Sequence, residues 1–258
     1  MCATCGCGSA GPRFTTFGAA AGSRQGRGHG HGHGAHEHAE HASRTVLLEE
    51  RVLARNDLLA ADNRRLLAER GVVTVNLMSS PGSGKTTLLA RTVRELASRP
   101  MAVVEGDQET LLDAERIRAT GCPVVQINTG EGCHLDAAML RRGLDALDVA
   151  AGSLVFVENV GNLVCPALFD LGETSRVVVM SVTEGADKPA KYPHMFRTAD
   201  LVLVNKVDLL PYVDFDPELC TERIRRINPT AQVLLVSATT GEGLGAWYAW
   251  LGTPGSAG

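Results

Sequence analysis

Three groups of side chains in this chain have the types and spacing to do chemistry. The first is Ser79-Ser80-Pro81-Gly82-Ser83-Gly84-Lys85-Thr86-Thr87, directly after the apolar run Val72 to Met78. Glycines at Gly82 and Gly84 let the backbone N–H groups from Gly82 through Ser83 to Thr87 close around a polyphosphate. Lys85 then reaches the terminal phosphates and the Thr86 hydroxyl can hold Mg²⁺. Ser79 stands where the full pattern has glycine, so this is the variant with a small residue opening the loop. The second group is Asn205-Lys206-Val207-Asp208 after the run Leu201 to Val204, joined by Ser237-Ala238 after the next apolar run. The Asp208 carboxylate can accept from both N1–H and the exocyclic amine of guanine, whereas adenine has no matching donor pair and leaves a buried carboxylate unpaired. An amide at Ser237-Ala238 can meet the guanine O6. The nucleotide is therefore expected to be GTP. Asp107 and Glu158 each end an apolar run, where a carboxylate can hold Mg²⁺ or its waters and sense the terminal phosphate. With Lys85 they are the expected catalytic set. No glutamine stands in an obvious water-orienting position, so hydrolysis is expected to be slow without help from a partner or second subunit.

The third group consists of metal ligands, in three places. Cys2, Cys5 and Cys7 put three thiols within six residues; with an amine from Met1, or from Cys2 after processing, they suit a compact Ni²⁺ site that also holds Zn²⁺. His29, His31, His33, His36, His38 and His41 form a tract interleaved mainly with glycine, suited to gathering several divalent ions. Cys133-His134 and Cys165 leave the same expected sheet edge as the phosphate loop, so metal and nucleotide should be neighbours. One chain supplies three ligands there, and water or a second copy must complete a tetrahedral shell. Cys122 and Cys220 read as buried structural thiols.

The elements that position these residues follow from periodicity. Residues 1–44 are poor in large apolar side chains and are expected to be a disordered metal-binding tail. Val46, Leu47, Leu48, Val52, Leu53, Leu58, Leu59, Leu66 and Leu67 then fit an amphipathic helix over 45–70 that packs on the core. From residue 71 to 258, short β-branched runs alternate with helical patterns. That predicts an α/β domain with a mostly parallel sheet flanked by helices on both faces, its ligands at the carboxyl ends of the strands. Hydrophobic residues make up 44% of the sequence, enough for one substantial core, and a net charge of −4 gives no footprint for nucleic acid. No run is long enough to span a bilayer and the first residues lack a secretory apolar stretch, so no membrane insertion and a cytoplasmic location are expected.

The order of these motifs resembles one family. Ser79 to Thr87, Glu105-Gly106-Asp107, Glu131-Gly132-Cys133-His134-Leu135, Glu158-Asn159-Val160-Gly161-Asn162-Leu163-Val164-Cys165-Pro166, Thr183-Glu184-Gly185-Ala186-Asp187-Lys188-Pro189 and Asn205 to Asp208 stand in the order of HypB, the nickel-handling P-loop GTPase of [NiFe]-hydrogenase maturation. The related urease accessory GTPases carry Cys-Pro-His instead, and contiguous Cys133-His134 favours the hydrogenase branch. The resemblance implies a GTP-promoted homodimer, a partner metallochaperone of the HypA type, and the hydrogenase large subunit as recipient. It also implies that Cys133, His134 and Cys165 form a nickel or zinc site at the dimer interface and that Lys188 approaches the nucleotide, from the same or the opposite subunit. Other readings are a nickel store with incidental GTPase activity, a urease-type insertion factor, and a phosphotransferase acting on a small acceptor.

Overall fold

The computed structural model describes residues 35–107, 112–129 and 133–252, with side chains from residue 50 onward. Cys2, Cys5, Cys7, His29, His31 and His33 lie outside the described residues, and the side chains of His36, His38 and His41 do too. The chain divides into two units, one ending at Ala54 and a body running from Arg55. The helix α1, Ala35–Glu69, spans that division. Its start lies ahead of the expected residue 45, because Ala35, Glu37, Ala39, Glu40 and Ala42 favour helix once the glycine-rich run stops at Gly34.

The body alternates strand and helix: β1 Val73–Ser79, α2 Lys85–Glu95, β2 Met101–Asp107, α3 Leu112–Arg118, β3 Val124–Asn128, α4 Ala137–Leu147 and β4 Leu154–Gly161. It continues with α5 Cys165–Leu168, β5 Ser175–Ser181, α6 Lys188–Lys191, α7 Pro193–Arg197, β6 Leu201–Asn205, α8 Pro217–Ile227, β7 Gln232–Leu235 and α9 Leu244–Gly252. The seven strands of the described residues form one sheet in the order β3-β2-β4-β1-β5-β6-β7, and every pairing is parallel. Central strands such as β1 and β4 are buried on both faces because helices cover both. On one face Leu77, Val103, Phe156, Val179 and Leu203 pack with Leu88 and Leu89 of α2 and Trp247 of α9. On the other, Val104, Val155 and Val157 pack with Leu140 and Leu144 of α4, and Val178, Met180 and Val202 with Phe196, Cys220 and Ile224.

The face that α1 turns to the body differs from the one its leucines suggest. Asn56, Ala60, Asn63 and Leu67, at helical spacing, are buried, while Leu58 is 72% exposed. Polar bonds hold the helix there: Asn63 Nδ2 donates to the carbonyls of Ala137 (2.8 Å) and Leu171 (2.9 Å), and Asn56 exchanges bonds with Asp170 O and Ala137 N. Gly172, at φ +84°, permits the close approach, since a Cβ there would lie 2.3 Å from Ala60 O. Hydrophobic periodicity finds leucines, and here the docking groups are amides satisfying backbone carbonyls.

Candidate nucleotide and metal sites on one sheet edge

β1 delivers the phosphate loop to the middle of the sheet's carboxyl edge, and β4 lies between β1 and β2. The loop turns through Gly82 (φ +75°) and Gly84 (φ +97°) into the N-terminus of α2, whose first turn carries no acidic residue. Its unpaired N–H groups and helix dipole therefore favour an anion. Lys85 Nζ donates to Ser79 Oγ at 2.6 Å, and the Thr86 hydroxyl donates to Glu158 Oε1 at 2.6 Å. Glu158 is 4% exposed and its second oxygen, Oε2, has no partner. Burial raises the Glu158 pKa against the pull of Lys85 and the Thr86 bond, and burial lowers that of Lys85 against the pull of Glu158. Such a buried, half-satisfied carboxylate beside a threonine hydroxyl fits a divalent cation.

These groups line a cleft of about 490 Å³ together with Gly82 to Thr87, Asp107, Asp113 and Arg116. A larger groove of about 630 Å³ between α8 and β7 holds none of the phosphate-binding elements. Arg116 was not singled out by the sequence; its guanidinium on α3 sits 3.2 Å from Thr87 Oγ1 and 3.8 Å from Asp113 Oδ1. Only the folding of α3 over the loop reveals it, because an arginine in an Arg-Ile-Arg run carries no motif.

The residues expected to specify guanine divide by task. The Asn205 carboxamide donates to Ser83 O at 2.9 Å and accepts from Ala238 N at 3.0 Å, bracing the phosphate loop to the Ser237-Ala238 loop. The Gly84 turn is tight against it, a Cβ there lying 2.5 Å from Asn205 Nδ2. Lys206, at φ +64°, donates to Gly82 O at 2.7 Å. Asp208 accepts from Ser237 Oγ at 2.5 Å through Oδ1. Ala238 N is thus engaged by Asn205, and Asn205 and Lys206 hold the loop walls while Asp208 carries the carboxylate. Lys188 does not line the cleft of its own chain: it pairs with Glu184 Oε2 at 3.0 Å, and Glu184 also accepts from Ser80 Oγ at the base of the loop.

The third ligand set converges as expected. A ring nitrogen of His134 and the Sγ atoms of Cys133 and Cys165 lie within 4.8 Å of one another, with His134 Nδ1 3.7 Å from Cys133 Sγ. Cys165 opens α5, and the His134 ring stacks on Phe169 with centroids 3.9 Å apart. Burial lowers the His134 pKa, favouring the neutral imidazole that binds metal. Two thiols and an imidazole with a fourth position open suit a borderline ion such as Ni²⁺ or Zn²⁺. Cys122 and Cys220 are buried with thiols pushed up to about 11, as structural cysteines are.

Residues 73–235 match the family model described as CobW/HypB/UreG, nucleotide-binding domain. Over 218 residues the chain is 56% identical to the hydrogenase maturation factor HypB of Azotobacter chroococcum, covering 84% of this chain and 72% of that protein. The chain belongs to the HypB family of hydrogenase maturation factors. HypB of Escherichia coli K12 is 54% identical over 222 residues, covering 85% of this chain and 77% of that protein. Two solved HypB structures share the fold. That of Archaeoglobus fulgidus has a TM-score of 0.72 at 42% identity, over 77% of this chain and 97% of its own. The Helicobacter pylori HypB structure, in complex with nickel, has a TM-score of 0.73 at 38% identity, over 76% and 93%. The sequence resemblance to HypB thus holds, and no helix among the described residues is long and apolar enough to cross a membrane.

Proposed function

We propose that this HypB-family chain is a GTP-hydrolysing metallochaperone that carries nickel, and also binds zinc, for [NiFe]-hydrogenase maturation. The observation that carries this reading is the sharing of β4: Glu158 on this strand bonds Thr86 of the phosphate loop, and the connection after it leads to Cys165 of the ligand cluster. The nickel-bound Helicobacter relative supports the choice of metal cargo.

In this mechanism the N–H groups of Gly82 to Thr87 and the Lys85 ammonium bind the phosphates of GTP, and Asp208 selects guanine. Thr86 and Asp107 would hold Mg²⁺, with Glu158 behind them, and the ion supplies charge neutralisation at the phosphates. Water attacks the γ-phosphorus and gives its proton to a γ-phosphate oxygen, the bond to the β-bridging oxygen breaks with its electron pair leaving on GDP, and Arg116 steadies the negative charge that spreads over the oxygens. Loss of the γ-phosphate relaxes the Asp107 and Glu158 ends of β2 and β4, changing affinity at Cys133, His134 and Cys165. A second copy completes the metal shell in a GTP-promoted homodimer and can bring Lys188 to the opposite nucleotide. A HypA-type metallochaperone and the hydrogenase large subunit are the partners, with Cys2, Cys5, Cys7 and the His29 to His41 tract as a supplementary store.

The test measures Ni²⁺ affinity of the protein lacking residues 1–44 with GDP and with a non-hydrolysable GTP analogue, using Cys133→Ala/Cys165→Ala as the blank. Different affinities are expected, and identical ones would overturn gating. The histidine tract favours a second reading, nickel storage; deleting residues 1–44 abolishes a store's function but spares a delivery switch when nickel is ample.

A further inference from the structure

Glu158 and Asn159 are neighbours on β4 and so project to opposite faces of the sheet. Asn159 is 1% exposed, and its Oδ1 accepts from the backbone N–H of Leu135 at 3.2 Å and of Val160 at 3.0 Å. Its Nδ2 donates to Asn76 Oδ1 at 3.4 Å, and Asn76 in turn donates to Glu173 Oε1 at 3.2 Å, so the carboxamide is held from both ends. Leu135 directly follows Cys133-His134. Past the end of the strand, Asn162 Oδ1 accepts from Val164 N at 2.7 Å and Cys165 N at 3.2 Å. Every ligand of the cluster therefore lies within two residues of an amide pinned by one of these two asparagines.

We propose that Asn159 and Asn162 are positioning residues through which the nucleotide sets the spacing of the metal ligands. Asn159 holds the Cys133-His134 side and Asn162 the Cys165 side. Two metal–sulfur bonds of roughly 2.3 Å set how far apart the sulfurs of Cys133 and Cys165 stand in the loaded site. That separation is what the two pins control, and both pins hang on the strand end that carries the Thr86–Glu158 bond. A small shift of that end, made when Mg²⁺ and the γ-phosphate engage Thr86, moves one pin against the other. The buried bonds give the movement a stiff path, and by linkage the metal acts back on nucleotide affinity by the same factor.

This inference rests on the gating reading above, and the experiment separates the two. Ni²⁺ is titrated into the full chain with GDP and with the non-hydrolysable GTP analogue, following the part of the thiolate-to-nickel charge-transfer absorbance that is lost in Cys133→Ala/Cys165→Ala, the remainder being assigned to Cys2, Cys5 and Cys7. In the parent protein the two affinities differ by about five-fold or more. In Asn159→Ala and in Asn162→Ala that ratio falls towards one, while GDP affinity stays within about two-fold of the parent. A parental ratio of one overturns gating and with it this inference. A parental ratio above five that persists in both variants overturns this inference alone. Asn162 is half-buried, so its variant keeps the test decisive should Asn159→Ala not fold.

Discussion

Glu105 and Glu158 are register partners across β2 and β4, two carboxylates side by side under the phosphate loop. Both are nearly inaccessible, and each has one oxygen, Oε2, without a hydrogen-bond partner. Lys85 is the cation they share. Like charges so placed resist ionising together until a cation joins them, which fits the Mg²⁺ site proposed beside them.

Burial, then the nearby Glu158, pushes the Glu105 pKa up to about 8 from 4.5. The folded form therefore binds a proton that the unfolded chain has released between these values. The stabilisation is complete below about 4.5 and is lost as pH rises through about 8. Denaturant midpoints of the protein in chelator, without nucleotide, should fall over this window. Glu105→Gln should flatten the slope; an unchanged slope would refute the assignment.

Asp208→Asn should exchange guanine for xanthine nucleotides. The variant loses its acceptor for guanine N1–H and amine, and a loss of GDP affinity of about 10² or more is expected. Competition binding with GDP and XDP measures it, and retained guanine preference counts against the role.

Arg116→Ala should slow GTP hydrolysis by about ten- to a hundred-fold while leaving GDP affinity nearly unchanged, because in the proposed mechanism the guanidinium that lines the cleft meets charge that develops only during cleavage. Single-turnover phosphate release and GDP titration separate the two effects. Equal losses in both would reduce Arg116 to a binding residue.

Asn63→Ala should cost about 1–3 kcal/mol, since two buried carbonyls, Ala137 O and Leu171 O, lose their donor. Leu58→Ser, on the exposed side of the same helix, should change stability by less than about 0.5 kcal/mol. Chemical denaturation of both variants tests the inversion of what hydrophobicity alone suggests.

Wherever the chain's local pattern is itself the cause of the structure, the sequence determined it. The alternation of β-branched runs and helical patterns dictates a doubly covered parallel sheet, and Gly82, Gly84 and Lys85 dictate an anion-binding turn whatever surrounds them. Cys133, His134 and Cys165 were legible because their ligand chemistry is rare enough to stand out. Residues that act through what they touch were decided by tertiary structure alone. Asn205 braces two loops, Arg116 reaches Thr87 from another helix, Asn63 docks α1, and Asn159 and Asn162 pin the amides beside the ligands. An amide or guanidinium has the same local preferences whether it faces solvent or a buried carbonyl, so its task is set by the partners that folding brings to it.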